Sequence, residues 1–106
     1  MKSAVASLGA LANDTRLNAF QILVCHEPNG MPAGEVARKL DVPQNTMSVH
    51  LATLARAGLV RSERRSRQII YRADCEHLMA LTLFLIEDCC SGMATLSFTS
   101  LKDAEV

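Results

Sequence analysis

Residues 35–60 read EVARKLDVPQNTMSVHLATLARAGLV, and the fold turns on how this stretch divides. "AGEVARKL" (33–40) has the composition and spacing of a short helix. "DVP" (41–43) interrupts it with a tight turn. Pro43 cannot continue a helical ladder, but its fixed φ suits the first position of a new helix. That helix is predicted to run to about Ala57 and to stop at Gly58, a residue that takes the left-handed conformation at a helix end without steric cost. Two short helices joined by a tight turn make a helix–turn–helix.

Helix geometry decides which residues of the second helix face outward. At ~3.6 residues per turn, each step rotates by about 100°. Met47, Leu51 and Leu54 then share one face, the predicted core face. Asn45, Ser48, Val49 and Ala52 lie roughly opposite, with Gln44 and Thr46 exposed in the first turn. Gln and Asn can bond a base edge in two places, and Ser or Thr can reach a base or a phosphate. Gln44, Asn45, Thr46, Ser48 and Val49 are therefore the candidate DNA-reading residues. His50 falls toward the core flank and is expected to be a hydrogen-bonded structural histidine.

An ordinary amphipathic helix would carry the same pattern, and the following segment argues against that reading. In "LVRSERRSRQIIYRA" (59–73) the period changes. Leu59 and Val60 lead into a charged tip, and Ile69, Ile70 and Tyr71 lead out of it, as in a two-stranded hairpin. The tip lacks Gly, which leaves its turn type open. Arg64, Arg65 and Arg67 at the tip are placed to lie along a nucleic-acid backbone or enter a minor groove. The formal net charge of zero hides a local asymmetry. Between Arg38 and Arg72 the acids are Asp41 and Glu63 alone, against Arg38, Lys39, Arg56, Arg61, Arg64, Arg65, Arg67 and Arg72. A basic segment in a neutral chain fits a polyanion on one face, although a solvated basic surface would look the same.

Outside this unit, "SAVASLGALA" (3–12) is a short apolar helix, and Asn13 or Asp14 can cap the next, in which Leu17, Phe20, Leu23 and Val24 recur at helical spacing. "EPNG" (27–30) ends that helix. Asp74 can cap a last long helix reaching Cys90. Leu78, Met79, Leu81, Leu83, Phe84, Leu85 and Ile86 make it apolar nearly all round, so it must be buried on more than one side. The expected architecture is mainly α with a small β-hairpin, in the order α-α-α-α-β-β-α: a winged helix–turn–helix that dimerises through its first and last helices. One domain over residues 1–90 and an irregular tail over 91–106 account for the 106 residues.

The longest apolar block, "LMALTLFLI" (78–86), is far short of the roughly 20 residues of a membrane span. No apolar run follows a basic start. A soluble, cytoplasmic protein without membrane contact is expected, and in a reducing cytosol its four Cys are free thiols or ligands rather than a disulfide framework.

"ALANDTRLNAFQIL" (10–23), the 35–60 stretch and "RRSRQIIYRAD" (64–74) together resemble the arsenic-repressor (ArsR/SmtB) family of metalloid- and metal-sensing regulators. The likeness extends from about Ala4 to Cys90. It implies a homodimeric winged helix repressor that binds an inverted-repeat operator in double-stranded DNA and lets go when an inducer binds. It carries Gln44, Thr46 and Ser48 over as DNA contacts, with the wing arginines. Two departures bear on the operator: Val49 stands where many members have a first His, and Ser66 where the wing usually has Gly.

The family's inducer sites differ in place, and each can be checked against residues. An early Cys-x-Cys in the third helix would fall on Pro32 and Gly34, so it is missing. A zinc-type site in the last helix could begin with Asp74 and His77, but no His follows. A third version ends the last helix in adjacent cysteines, and "IEDCCSG" (86–92) resembles it, without the further Cys that often comes later. Thiolates are soft donors, and no imidazole lies near Cys89 and Cys90 in sequence. Trivalent arsenic, inorganic or methylated, is the expected ligand of Cys89 and Cys90, with antimony(III) a substitute. The bland alternative is a pair of small buried residues, since free Cys is often buried. Cys75 precedes Cys89 by 14 residues, about 21 Å along a helix at ~1.5 Å per residue, so it cannot share an atom with the pair within one protomer. Cys75 and Cys25 are expected to be packing residues. Rival functions are a thiol-redox or persulfide sensor of the same fold and, more remotely, a thiol oxidoreductase, for which C-x-x-C is missing.

Overall fold

The computed structural model describes residues 2–88. The expected end of the last helix at Cys89–Cys90 and the tail 91–106 lie outside the described residues. The order is α1 (Lys2–Leu11), α2 (Asp14–Cys25), β1 (Met31–Pro32), α3 (Ala33–Leu40), α4 (Gln44–Arg56), β2 (Val60–Arg65), β3 (Gln68–Ala73) and α5 (Cys75–Leu83). A π-helical turn, Phe84–Asp88, continues α5.

Local chemistry accounts for most boundaries. Asn13 Oδ1 accepts the Arg16 N–H at 3.0 Å, and Asp74 Oδ1 accepts the His77 N–H at 3.0 Å. Each of these caps satisfies an orphan donor of a first turn, typically worth ~1 kcal/mol. Pro43 differs from its predicted place. With φ −57° and ψ 143° it stands just outside α4, and its carbonyl accepts the Met47 N–H at 2.9 Å. The turn before it places Asp41 in the left-handed region, φ 55°, which ends α3. Asp tolerates that conformation better than most L-residues.

The sheet has three strands rather than two, in the order β1-β3-β2. Met31 and Pro32 pair antiparallel with Tyr71 and Ile70. Two residues are too short to show a period, and Pro speaks against a strand. It is admitted here because β1 is an edge. β2 and β3 pair from Val60↔Ala73 to Arg65↔Gln68, leaving Ser66 and Arg67 as the loop. Ser66 takes φ 59° in place of the missing Gly, the only positive non-Gly φ of the hairpin. A positive φ at the first central residue alone is the pattern of a type II′ turn.

One core lies between the helices and the sheet. Leu23, Val36, Met47, Leu51, Leu54 and Leu59 are all fully buried. Leu17, at 49% exposed, sits off the buried face that Phe20 and Leu23 define. The α2–β1 loop closes on the sheet through Gly30, whose φ is +74°. A Cβ there would lie 2.6 Å from the Tyr71 carbonyl oxygen and 2.7 Å from Ile70 Cγ2. Both the backbone conformation and the space demand Gly. Gly30→Ala is expected to destabilise the fold by about 2 kcal/mol or more, because the clash is with sheet backbone. Chemical denaturation with a wild-type-like midpoint would contradict this.

Candidate nucleic-acid interface

Helix α4 turns its two faces as its pattern dictates. Met47, Leu51 and Leu54 are sealed in the core. Gln44, Asn45, Thr46 and Val49 are exposed, and Ser48 is half-buried beside them. Asn45 Oδ1 accepts the Thr46 N–H at 2.9 Å, so its carboxamide oxygen leans back on the first turn. Val49, 65% exposed, presents an apolar surface of the kind that meets a thymine methyl in a major groove. His50 lies with Nδ1 3.4 Å from Arg16 Nη1, while Arg16 Nε donates to the Ala10 carbonyl at 2.6 Å. His50 thus fastens the flank of α4 to the α1–α2 corner.

A cleft of about 520 Å³ separates α3 and the start of α4 from the wing, with Arg38, Gln44, Ser48, Arg67, Gln68 and Tyr71 on its walls. Polar side chains from three elements converge there. Arg38 and Gln68 were not singled out by pattern. Arg38 was visible only as one of several basic residues, and a lone Gln in a strand carries no signal.

The wing arginines divide between two faces. Arg64 pairs across the strands with Ile69, which lines the cleft, and residues directly opposite share a face of the sheet. Arg64 and Arg67 make no ion pair among the described residues. Arg65 lies on the other face. Its Nη1 donates to the Asn29 carbonyl at 2.9 Å, and its Nη2 is 3.2 Å from Glu63 Oε1. Arg72 reaches Glu27 at 2.9 Å and Glu63 at 3.4 Å. The hydrogen bond from Arg65, then that from Arg72, holds the Glu63 carboxyl below its ordinary range. The bond to Glu27 raises Arg72 further still. Pairs this open to solvent, half-buried at Arg72–Glu27 and exposed at Arg65–Glu63, add little stability, but they fix the wing to the loop that carries Gly30. The contribution of Glu63 is complete above the ordinary carboxylate range and is lost as pH falls through the lowered folded value.

The remaining candidates lie elsewhere. Cys25 and Cys75 are exposed, not packing residues of the single chain. Each sits at a helix end, Cys25 as the last residue of α2 and Cys75 as the first of α5. Asp74 is occupied as a cap, and His77 Nε2 lies 2.8 Å from the buried Ser7 hydroxyl, which donates to the Ala57 carbonyl at 3.2 Å. Among the described residues no three His, Cys, Asp or Glu side chains converge as a metal site. The proposed ligands Cys89 and Cys90 lie outside the described residues.

Comparison with known proteins agrees with this geometry. Residues 11–63 match a family model described as a helix-turn-helix domain. The chain is 35% identical over 78 residues to the transcriptional activator HlyU of Vibrio cholerae, spanning 74% of this chain and 69% of that one. The solved structure of reduced HlyU superposes with a TM-score of 0.62, at 30% identity, covering 79% of this chain and 86% of that one. The homodimeric winged helix-turn-helix DNA-binding domain Mb0332 of Mycobacterium bovis, a possible ArsR-family regulator, shares the fold. Its TM-score is 0.68 at 22% identity, over 80% of this chain and 77% of that one. The chain belongs to the ArsR family. A further solved structure, titled a possible transcriptional regulator for arsenical resistance, has a TM-score of 0.65 at 28% identity, over 77% of this chain and 86% of that one. This ArsR-family member is accordingly a winged helix–turn–helix transcriptional regulator, and its relatives are named as regulators rather than enzymes. No helix among the described residues is long and apolar enough to cross a membrane.

The division of the wing yields a prediction. Arg64→Ala and Arg67→Ala are each expected to weaken DNA binding evenly across sequences and to lower the salt slope by about 1. Arg65→Ala is expected to act through wing placement, with increased protease cleavage at residues 63–68. Affinity titrations at several salt concentrations, paired with limited proteolysis, separate the two effects. Equal slopes for wild type, Arg64→Ala and Arg67→Ala would rule out backbone contact by these arginines.

Proposed function

We propose that this regulator is a homodimeric repressor that reads an inverted-repeat operator with two copies of the Gln44–Val49 segment and is released by a trivalent arsenical bound at Cys89 and Cys90. The observation that carries the DNA half is the exposed polar start of α4 facing Arg67 of the wing across one cleft, an arginine with no ion pair among the described residues. Two such heads related by a two-fold axis meet half-sites about one helical turn apart, or a multiple of it.

Dimerisation is supported by apolar surface the single chain leaves uncovered. Val5 and Leu8 of α1 are 69% and 43% exposed, and Met79 and Leu83 of α5 are 64% and 47% exposed. The Ser7–His77 hydrogen bond joins these two helices at one point, and we take their exposed apolar residues as parts of one interface. A second copy, related by symmetry, covers such a face. The homodimeric Mb0332 domain is a precedent of the same fold.

The inducer reading is supported by the chemistry of two adjacent thiols and by the backbone that leads to them. The helical ladder changes to a π-helical turn at Phe84–Asp88, immediately before Cys89 in the chain. On a regular α-helix neighbouring side chains diverge by about 100°. A helix already leaving that geometry is better suited to bring both sulfurs to one atom. A monomethyl arsenical keeps one bond to carbon, so two thiols complete it, each new As–S bond releasing one water from an As–OH group. Inorganic arsenite would keep one hydroxide or take a thiol from solution. The methylated form therefore suits this pair best, with antimony(III) a substitute for the inorganic ion. The solved relative titled for arsenical resistance is consistent with this ligand class. Binding next to the interface helix biases its packing. Ser7 and His77 join that helix to Ala57, the residue that ends α4. A coupling of roughly 1–3 kcal/mol in DNA affinity is the usual size of such an effect.

A second reading, a thiol-redox sensor, draws on the exposure of Cys25 and on a relative solved in its reduced form. DNA release titrated with arsenite, methylarsenite and a polysulfide distinguishes the two. Cys89→Ser and Cys90→Ser are expected to bind DNA normally and ignore both arsenicals, while Cys75→Ser still responds and zinc releases DNA poorly. Arsenical response in both Ser variants would sink the arsenic reading, and release by polysulfide that depends on Cys25 would install the redox one. For assembly, sedimentation is expected to give a dimer at micromolar concentration, converted to monomer by Met79→Glu with Leu83→Glu. A wild-type monomer would reject the interface.

A further inference from the structure

Gly34 is a glycine without a backbone reason. It is the second residue of α3, and its φ is not among the positive values, which belong to Gly30 and Gly58. A helix would be better served by Ala at such a position. The space beside it supplies another reason. A Cβ on Gly34 would lie 3.2 Å from Gln44 Oε1, 3.4 Å from Gln44 Cδ and 3.7 Å from Gln44 Nε2. The carboxamide of Gln44 therefore lies across the bare backbone of Gly34, spanning the turn between α3 and α4. Among the described residues that carboxamide makes no hydrogen bond, so its donor and acceptor both remain available.

We infer that Gly34 is a positioning residue for base recognition: it leaves the hollow that holds the Gln44 carboxamide in the orientation that meets a base edge. This rests on the reading of α4 as the DNA-reading helix and adds to it a residue that touches no DNA. A side chain with several rotamers loses entropy when a base edge fixes it, and a shaped rest lowers that cost before binding. Filling the hollow with one methyl displaces the carboxamide by a few tenths of an ångström or into another rotamer. The obstacle is the end of a flexible side chain, so folding is not harmed.

The test compares wild type, Gly34→Ala, Gln44→Ala and the double variant, using full-length protein and an operator defined by selection from random duplex DNA. Readouts are thermal stability, salt slope, and discrimination at each base pair of the half-site. Gln44→Ala is expected to lose roughly tenfold discrimination at one base pair, in line with loss of a bidentate contact. Gly34→Ala is expected to lose several-fold at that same base pair, while melting at or above the wild-type temperature and keeping the wild-type salt slope. The double variant should be no worse than Gln44→Ala alone, because the two act through one contact. Wild-type discrimination in Gly34→Ala, with Gln44→Ala impaired, overturns the positioning role and leaves the reading helix standing. Unchanged discrimination in Gln44→Ala overturns both.

Discussion

The seating of α4 on the core is the constraint on which the rest depends. Met47, Leu51 and Leu54 are fully buried against a core that includes Leu23, Val36 and Leu59. Removing any one of these large side chains would cost a few kcal/mol, a sizeable share of what a domain of this size has. That burial fixes the rotation of α4 about its axis, and the rotation alone sends Gln44, Thr46 and Val49 outward. The same side chains that stabilise the domain therefore orient the surface proposed to meet DNA. His50 and Arg16 lock the flank against slippage.

The wing is positioned by a different kind of force. Few of its residues reach the core, and its angle is set by a polar clamp on the face away from the cleft. Arg65 holds Asn29, Arg72 holds Glu27, and Glu63 takes both arginines. Screening makes each pair weak, yet together they tie two strands to the loop behind them. Gly30 lets that loop approach the sheet backbone closely enough for the clamp to form. The outcome is a division of labour among arginines close in sequence: one face anchors, and the other stays available to a polyanion.

Among the described residues, α5 connects to the end of α4 through a few side chains. Ser7 is buried and contacts both His77 of α5 and the carbonyl of Ala57. Gly58 closes the same spot, where a Cβ would come within 2.9 Å of the His77 ring. The start of α5 and the end of α4 are therefore in direct contact at this spot. Asp74 and His77, which by residue type resemble the start of a metal site, are engaged in capping and bracing instead.

The sequence by itself determined the helix–turn–helix, the Asp74 N-cap, the core face of α4 and the hairpin, because each is written in short-range chemistry: period, capping residues and the breakers Pro43 and Gly58. At the start of α2 it left Asn13 and Asp14 as alternatives, and the structure caps with Asn13. Outward-facing Gln44, Asn45, Thr46 and Val49 followed from the same period, while Ser48 is half-buried beside them. Strand β1 could not be read, since a two-residue edge acquires its identity only by pairing with Tyr71 and Ile70. Neither could the exposure of Cys25 and Cys75, nor the split between Arg64 and Arg65, because these depend on which surfaces lie beyond a helix end or behind a strand. Gly34 appeared only as a missing cysteine. Its relation to Gln44, ten positions along the chain, exists solely because the α3–α4 turn lays one backbone under the other's side chain. Local patterns fix what each segment is. Only the packing of distant segments decides what each side chain touches.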